Sequence, residues 1–212
     1  MKVCELFTSI QGESTYAGTP CTFIRLSGCN LRCSYCDTTY SYEEGTEMSI
    51  DTIIDRVSEA GLCLVEITGG EPLLQQDEVL ELTKRLLDAG YKVLIETNGT
   101  MNIGSLDSRV IVIMDVKTPA STMSGKSDLS NLRHIKPDDE VKFVICDRND
   151  YDWSKKIVLA HGLSKRCTVL FSPALGSVAA RELADWILQD RLEVRLNMQL
   201  HKIIYNPDER MV

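Results

Sequence analysis

The chain lacks a basic excess, a long apolar run and a flexible linker, and each absence excludes something. Lys and Arg total 23 against 31 Asp and Glu, a formal net charge of -8. A nucleic-acid-binding surface needs clustered Lys and Arg, so that class is set aside, although a small basic pocket is not. No uninterrupted apolar run is long enough to span a bilayer. Met1-Lys2-Val3-Cys4-Glu5-Leu6 lacks the apolar core of a signal peptide. The expected setting is cytoplasmic, with neither membrane nor nucleic acid as a partner. Without low-complexity stretches or close internal repeats, the 212 residues are expected to form one domain over 1–212. A composition 43% hydrophobic and 25% charged is globular, and a chain this long buries a core without disulfides. The eight cysteines, in a reducing compartment, therefore do not read as a disulfide framework.

Short apolar runs alternate with amphipathic stretches. Residues 21–26 predict a strand, and Ser49 reads as an N-cap for a helix with the stripe Ile50, Ile53, Ile54 and Val57, stopped by Gly61. Further strands are predicted at 62–68, 92–97, 110–116, 141–146, 168–171 and 193–200. Helices are predicted at 79–87 before Gly90, from Asp150 or Asp152 towards His161, and after a Ser177 cap, carrying Leu183, Trp186, Ile187 and Leu188. Some seven strands and fewer helices are too little for a closed eight-fold barrel. The expected fold class is α/β, an open partial (β/α) barrel with mainly parallel strands; a doubly wound sheet is the alternative. In either, strand C-termini line the active site.

The loop at 29–36 reads Cys29-Asn30-Leu31-Arg32-Cys33-Ser34-Tyr35-Cys36, a C-x3-C-x2-C spacing. Three thiolates can hold three irons of a 4Fe-4S cube and leave the fourth free to bind a small molecule. The spacing points to S-adenosylmethionine (SAM) on a cluster, and to radical chemistry. One rival is zinc, which needs four ligands and usually paired cysteines; Cys21 and His134 bring no partner of their own. Another is three buried, metal-free cysteines, against which stand the turn residues Ser27, Gly28, Asn30 and Asp37. Cys63, Cys146 and Cys167 lie in or beside apolar runs and read as small buried hydrophobes.

The polar segments converge on one rim. Thr68-Gly69-Gly70-Glu71-Pro72, Glu96-Thr97-Asn98-Gly99, Asp115-Val116-Lys117-Thr118-Pro119 and Ser172-Pro173 each follow a predicted strand, and His201-Lys202 follows the last. Two glycines let a ligand approach the backbone, and Glu71 offers an acceptor to an ammonium; alone, this tetrapeptide could be a tight strand–helix turn.

The cysteine loop with Tyr35, followed by Gly69-Gly70-Glu71-Pro72, resembles the radical SAM superfamily along the whole chain. The resemblance implies that Cys29, Cys33 and Cys36 ligate a 4Fe-4S cluster whose free iron SAM chelates, and that one electron cleaves SAM to an adenosyl radical. Phe7-Thr8-Ser9-Ile10-Gln11-Gly12-Glu13, Arg25, Asp37-Thr38 and Leu200-His201-Lys202 narrow it. With them the chain is similar to the 7-carboxy-7-deazaguanine synthases of queuosine and other 7-deazapurine pathways. That family implies the substrate 6-carboxy-5,6,7,8-tetrahydropterin, a radical ring contraction releasing ammonia, Mg²⁺, and a homodimer. An electron donor such as flavodoxin or ferredoxin is the further partner.

By this resemblance Ile10, Gln11, Gly12, Glu13, Arg25, Thr68 and His201 would contact substrate. Gln offers both donor and acceptor to a pterin edge, and a guanidinium fork suits a carboxylate. Arg25 in a salt bridge is the plainer alternative. Thr38 would ligate Mg²⁺, or be a simple turn residue. Tyr35, Asp37, Gly70, Glu71, Asn98, Lys117, Thr118, Ser172 and Pro173 would line the SAM pocket, though Lys117 could equally pair with Asp115. The tail at 203–212 is polar and is expected to cover the pocket. Two other functions stay open: a glycyl-radical-enzyme activase and a non-catalytic zinc-binding interaction module.

Overall fold

Among the residues described by the computed structural model, 1–206 and 209–212, nine strands join in one sheet. They are β1 (Lys2–Ile10), β2 (Pro20–Leu26), β3 (Thr46–Glu47), β4 (Leu64–Gly69), β5 (Lys92–Thr97), β6 (Ile111–Asp115), β7 (Glu140–Ile145), β8 (Thr168–Pro173) and β9 (Arg195–Leu196). The order is β3-β1-β2-β4-β5-β6-β7-β8-β9. All pairings from β2 onward are parallel. β1 is antiparallel to both β2 and β3. The mainly parallel, unclosed α/β sheet agrees with the sequence, and its two ends are strands too short to recruit another edge.

The first strand is the main departure from expectation. Its mixed pattern shows no clean alternation, yet β2 supplies a full antiparallel partner, and Phe7 stacks on Phe23 at 5.1 Å. At the other end, the strand expected over 193–200 shrinks to β9. Asn197 leaves the sheet to donate its side chain to Ser172, and His201 opens a short helix, α5 (His201–Ile204).

Four longer helices are α1 (Ile50–Ala60), α2 (Gln76–Asp88), α3 (Arg148–His161) and α4 (Ala180–Asp190). Ser49 caps α1 through Thr52 N at 3.1 Å, and Gly61 ends it at φ 67. The cap of α3 is Asp147, not Asp150 or Asp152. Asp150 instead accepts from Ala120 N and Cys146 N, tying the helix start to two rim loops. Ser177 does not cap α4, whose N-cap position is Ala179.

The outer face of the sheet carries Ile24, Ile67, Ile95, Met114, Phe143 and Phe171 against the helices, all fully buried. Alternation turns the intervening side chains to the inner face. There Cys21, Phe23, Leu64, Leu94 and Ile113 plug the lower end, and charged groups occupy the layers above. Cys167 is buried as expected; Cys63 is exposed, because it sits in the loop before β4 rather than within the strand.

Candidate active site

The inner face opens at the strand C-termini into a cavity of about 510 Å³. One wall is the loop after β2. Cys29, Cys33 and Cys36 are half-buried and all border the cavity. Arg32 shapes the loop from outside: Nη1 donates to Cys29 O (2.8 Å) and Leu31 O (2.7 Å), while the guanidinium lies 4.1 Å from the Tyr42 ring centre. Leu31 is buried beneath as an anchor. The second glycine of the Gly-Gly turn touches this loop directly. A Cβ on Gly70 would lie 2.0 Å from Gly28 O and 2.8 Å from Cys29 Cβ, so a side chain there would displace the cysteine.

Tyr35, Asp37, Asn98, Lys117, Ser172 and Pro173 continue the wall around Gly70. Lys117 pairs with Asp115 at 2.8 Å, the alternative left open above. Two expected members stand outside the cavity. Thr118 is fully buried and donates Oγ1 to Val144 O at 2.9 Å. Glu71 is fully buried too, and its carboxylate accepts from Leu73 N (3.0 Å), Thr97 Oγ1 (2.8 Å) and Asn98 N (2.7 Å). Glu71 is thus an internal brace between two rim turns and is not part of the cavity lining.

Ile10, Gln11, Gly12, Glu13, Arg25 and Thr68 line the opposite wall, and His201 reaches it from α5. Gln11 is already satisfied within the protein: Oε1 accepts Glu13 N at 2.8 Å and Nε2 donates to Glu66. Its side chain holds the Glu13 backbone and the Glu66 carboxyl group, with both ends of the amide engaged. Arg25 Nε pairs with Glu5 at 2.8 Å, and Tyr40 Oη steadies the same carboxylate at 3.1 Å. Gly12 is packed under the imidazole; a Cβ there would lie 2.0 Å from His201 Nδ1. Burial lowers the His201 pKa, favouring a neutral ring at pH 7. Thr38 borders the cavity beside Cys36, its Oγ1 3.8 Å from the sulfur. Val212 also lines the cavity; Pro207, around which the tail was expected to fold over, lies outside the described residues.

The family model described as Radical SAM superfamily matches residues 23–118, from β2 to the rim after β6. The 7-carboxy-7-deazaguanine synthase of Koribacter versatilis is 44% identical, with all of both chains covered. That of Chlorobaculum tepidum is also 44% identical, over 100% of this chain and 97% of its own. The chain belongs to the 7-carboxy-7-deazaguanine synthase family. Among solved structures, QueE from Escherichia coli covers 94% of each chain at a TM-score of 0.79 and 24% identity, which shows the fold. A structure of TYW1 with a lysine-pyruvate adduct bound covers 80% of this chain and 72% of its own, at TM-score 0.58 and 12% identity.

Membership of a radical SAM family implies a 4Fe-4S cluster and SAM, and the residues present fit both. The thiols stand around the cavity mouth, and among the described residues no three His, Cys, Asp or Glu converge as ligands of one ion. Three thiols suit a cube, in which each ligates a different iron and the fourth iron stays open, whereas zinc calls for a fourth protein ligand. Burial pushes the Cys29 and Cys33 thiols up, a cost that iron removes by holding them as thiolates. Tyr35 lines the cavity between Cys33 and Cys36, with its hydroxyl buried on the side of Thr118.

Of the charged floor, the sequence pattern marks Glu96 as part of a rim segment but not Glu66 or Lys142. Glu66 on β4, Glu96 on β5 and Lys142 on β7 all border the cavity. The available signal was a charged residue inside an apolar strand, as in Leu64-Val65-Glu66-Ile67, Leu94-Ile95-Glu96 and Val141-Lys142-Phe143.

Proposed function

We propose that the chain converts 6-carboxy-5,6,7,8-tetrahydropterin to 7-carboxy-7-deazaguanine with release of ammonia, in 7-deazapurine (queuosine) biosynthesis. The observation that carries this is one cavity with a three-cysteine wall facing a wall of Glu13, Arg25 and His201. Full-length likeness to relatives named for that synthesis supports it.

When bound, the cluster and SAM supply a single electron and hydrogen-atom abstraction. The protein's part is to bind, orient and exclude water. Cys29, Cys33 and Cys36 hold the cluster, and Gly70 keeps the neighbouring turn close enough for SAM. Arg25, prealigned by Glu5, receives the substrate carboxylate in a charge-assisted fork. Glu13 accepts from the pterin N–H edge, and neutral His201 closes the wall without adding charge. The Thr38 hydroxyl, at the cavity wall beside Cys36, would be a hard-oxygen ligand for Mg²⁺. A reducing donor such as flavodoxin or ferredoxin delivers the electron, and two copies of the chain pair as a dimer.

Reconstituted protein incubated anaerobically with reductant, SAM and the carboxypterin should yield the deazapurine. A brown cluster that cleaves SAM without giving that product would leave the superfamily standing and defeat the substrate. Thr38→Ala should weaken the Mg²⁺ response more than SAM binding; equal loss of both would remove Thr38 from the metal site.

A further inference from the structure

Lys142 lies at the centre of the charged floor. Its Nζ is 3.0 Å from Glu13 Oε2, bonds Glu96 Oε1, and is 3.8 Å from Asp115 Oδ2. The side chain is 7% exposed. Asp115 has a nearer cation in Lys117, so Lys142 serves chiefly Glu13 and Glu96. Glu66 adjoins this set, bonded by Gln11, and no salt bridge reaches it among the described residues. The other charged or titratable groups around the floor are Arg25 (engaged with Glu5), His201, Asp37 (paired with Lys202) and Glu140 (bonded by Thr15). Glu13 is further held by Gln199 Nε2 at 2.9 Å and Asn197 Nδ2 at 3.4 Å. The lysine therefore ties a carboxylate of the β1–β2 turn directly to one on β5, beside the Gln11–Glu66 and Thr68–Glu96 hydrogen bonds that join the same elements through β4.

We infer that Lys142 is a positioning residue for the pterin, fixing Glu13 and Glu96 as a paired acceptor floor against the N–H edge of the aminopyrimidinone ring. This rests on the function proposed above and adds how that ring is recognised. The edge presents adjacent N–H donors, and a carboxylate accepts two in parallel. Burial alone pushes Glu13 up; Lys142, with Gln199 and His201, outweighs it and leaves the group below its usual range. At Glu66 burial and the neighbouring Glu96 act together, with the opposite result. Without the ammonium, Glu13 and Glu96 would be close like charges, one would take up a proton, and an acceptor would become a donor facing N–H groups.

The test compares Lys142→Met, Lys142→Arg and the double variant Lys142→Met/Glu96→Gln, each reconstituted. Lys142→Met should raise KM for the carboxypterin about tenfold and move the acidic limb of the kcat/KM profile to higher pH. Iron content and SAM affinity should stay at wild-type values, since other residues wall those sites. Lys142→Arg should restore the limb. The double variant removes one of the two unpaired carboxylates, and it should fold where Lys142→Met does not and return the limb part-way. An unmoved KM and limb in a folded variant, or equal losses of SAM and pterin affinity, would overturn the inference. If wild-type protein makes no deazapurine, the proposed function fails instead. Calorimetric pterin binding then decides for Lys142: weaker binding by Lys142→Met supports it, and equal binding overturns it.

Discussion

Replacing Glu71 by Gln separates a structural brace from a SAM ligand. The carboxylate accepts from three donors, two of them backbone N–H groups. The amide keeps one oxygen, which can stay with Leu73 N and Thr97 Oγ1, but its NH₂ then faces Asn98 N, another donor. A buried donor left unpaired costs about 1–3 kcal/mol, and losing the charge weakens the two retained bonds by about 0.5–1 kcal/mol each. Against this, neutralising the group recovers the desolvation that raises the Glu71 pKa. The net expectation is about 2 kcal/mol of lost stability, or a fall in Tm of about 4–8 °C for a chain this size. Anaerobic urea unfolding and thermal melting of the loaded protein read this directly. SAM affinity per folded molecule should fall little. If Glu71→Gln melts like wild type and loses most of its SAM affinity, the carboxylate faces the cofactor and the geometry argued here is wrong.

Gly70→Ala drives a methyl into Gly28 O and the first cysteine, costing about 3 kcal/mol at that contact, and iron bound per chain should drop. Retained iron would show that the loop can yield. Gly12→Ala meets the His201 ring, a movable side chain, so folding should persist while KM for the pterin rises; a change in SAM affinity instead would misplace the wall. Because burial lowers His201, the unfolded ring takes up a proton more readily than the folded one. Stability should therefore fall as pH drops through the ring's ordinary value of 6.5 and be level above it. Urea midpoints should show that slope flattened in His201→Asn. Asp147→Ala should cost about 1 kcal/mol through loss of the α3 cap, measured by the same titration, with no effect on iron content.

Elements with one dominant local signal were legible in the sequence. The Ser49 cap and Gly61 stop bounded α1, and β5 was predicted from 92 to 97, where it stands. What failed had its determinant far away in the chain. β1 is a strand because β2 accepts it, and β9 ends because Asn197 finds Ser172. The cysteines and glycines of the site were readable because their spacing is itself chemistry. Glu71 and Gln11 suit ligands by their functional groups, and each is also engaged by neighbours that sequence does not reveal. Lys142 escaped because one charged residue in a strand carries no motif, and its role arises from carboxylates on other elements.

The lengths of chain joined at Glu13 bear on how the protein assembles. Gln199 reaches Glu13 across 186 positions, and Asn197 reaches Ser14 across 183. Leu200 N closes on Gly12 O at 2.7 Å. Contacts this distant in sequence carry the largest loop-closure cost and form late in folding. The cysteine loop and the Gly-Gly turn, by contrast, both lie in the first third of the chain. During synthesis from the N-terminus, the cluster side of the cavity is available long before residues 197–201 leave the ribosome. The groups that close on Glu13 from 197–201 are thus synthesised well after the cysteine loop.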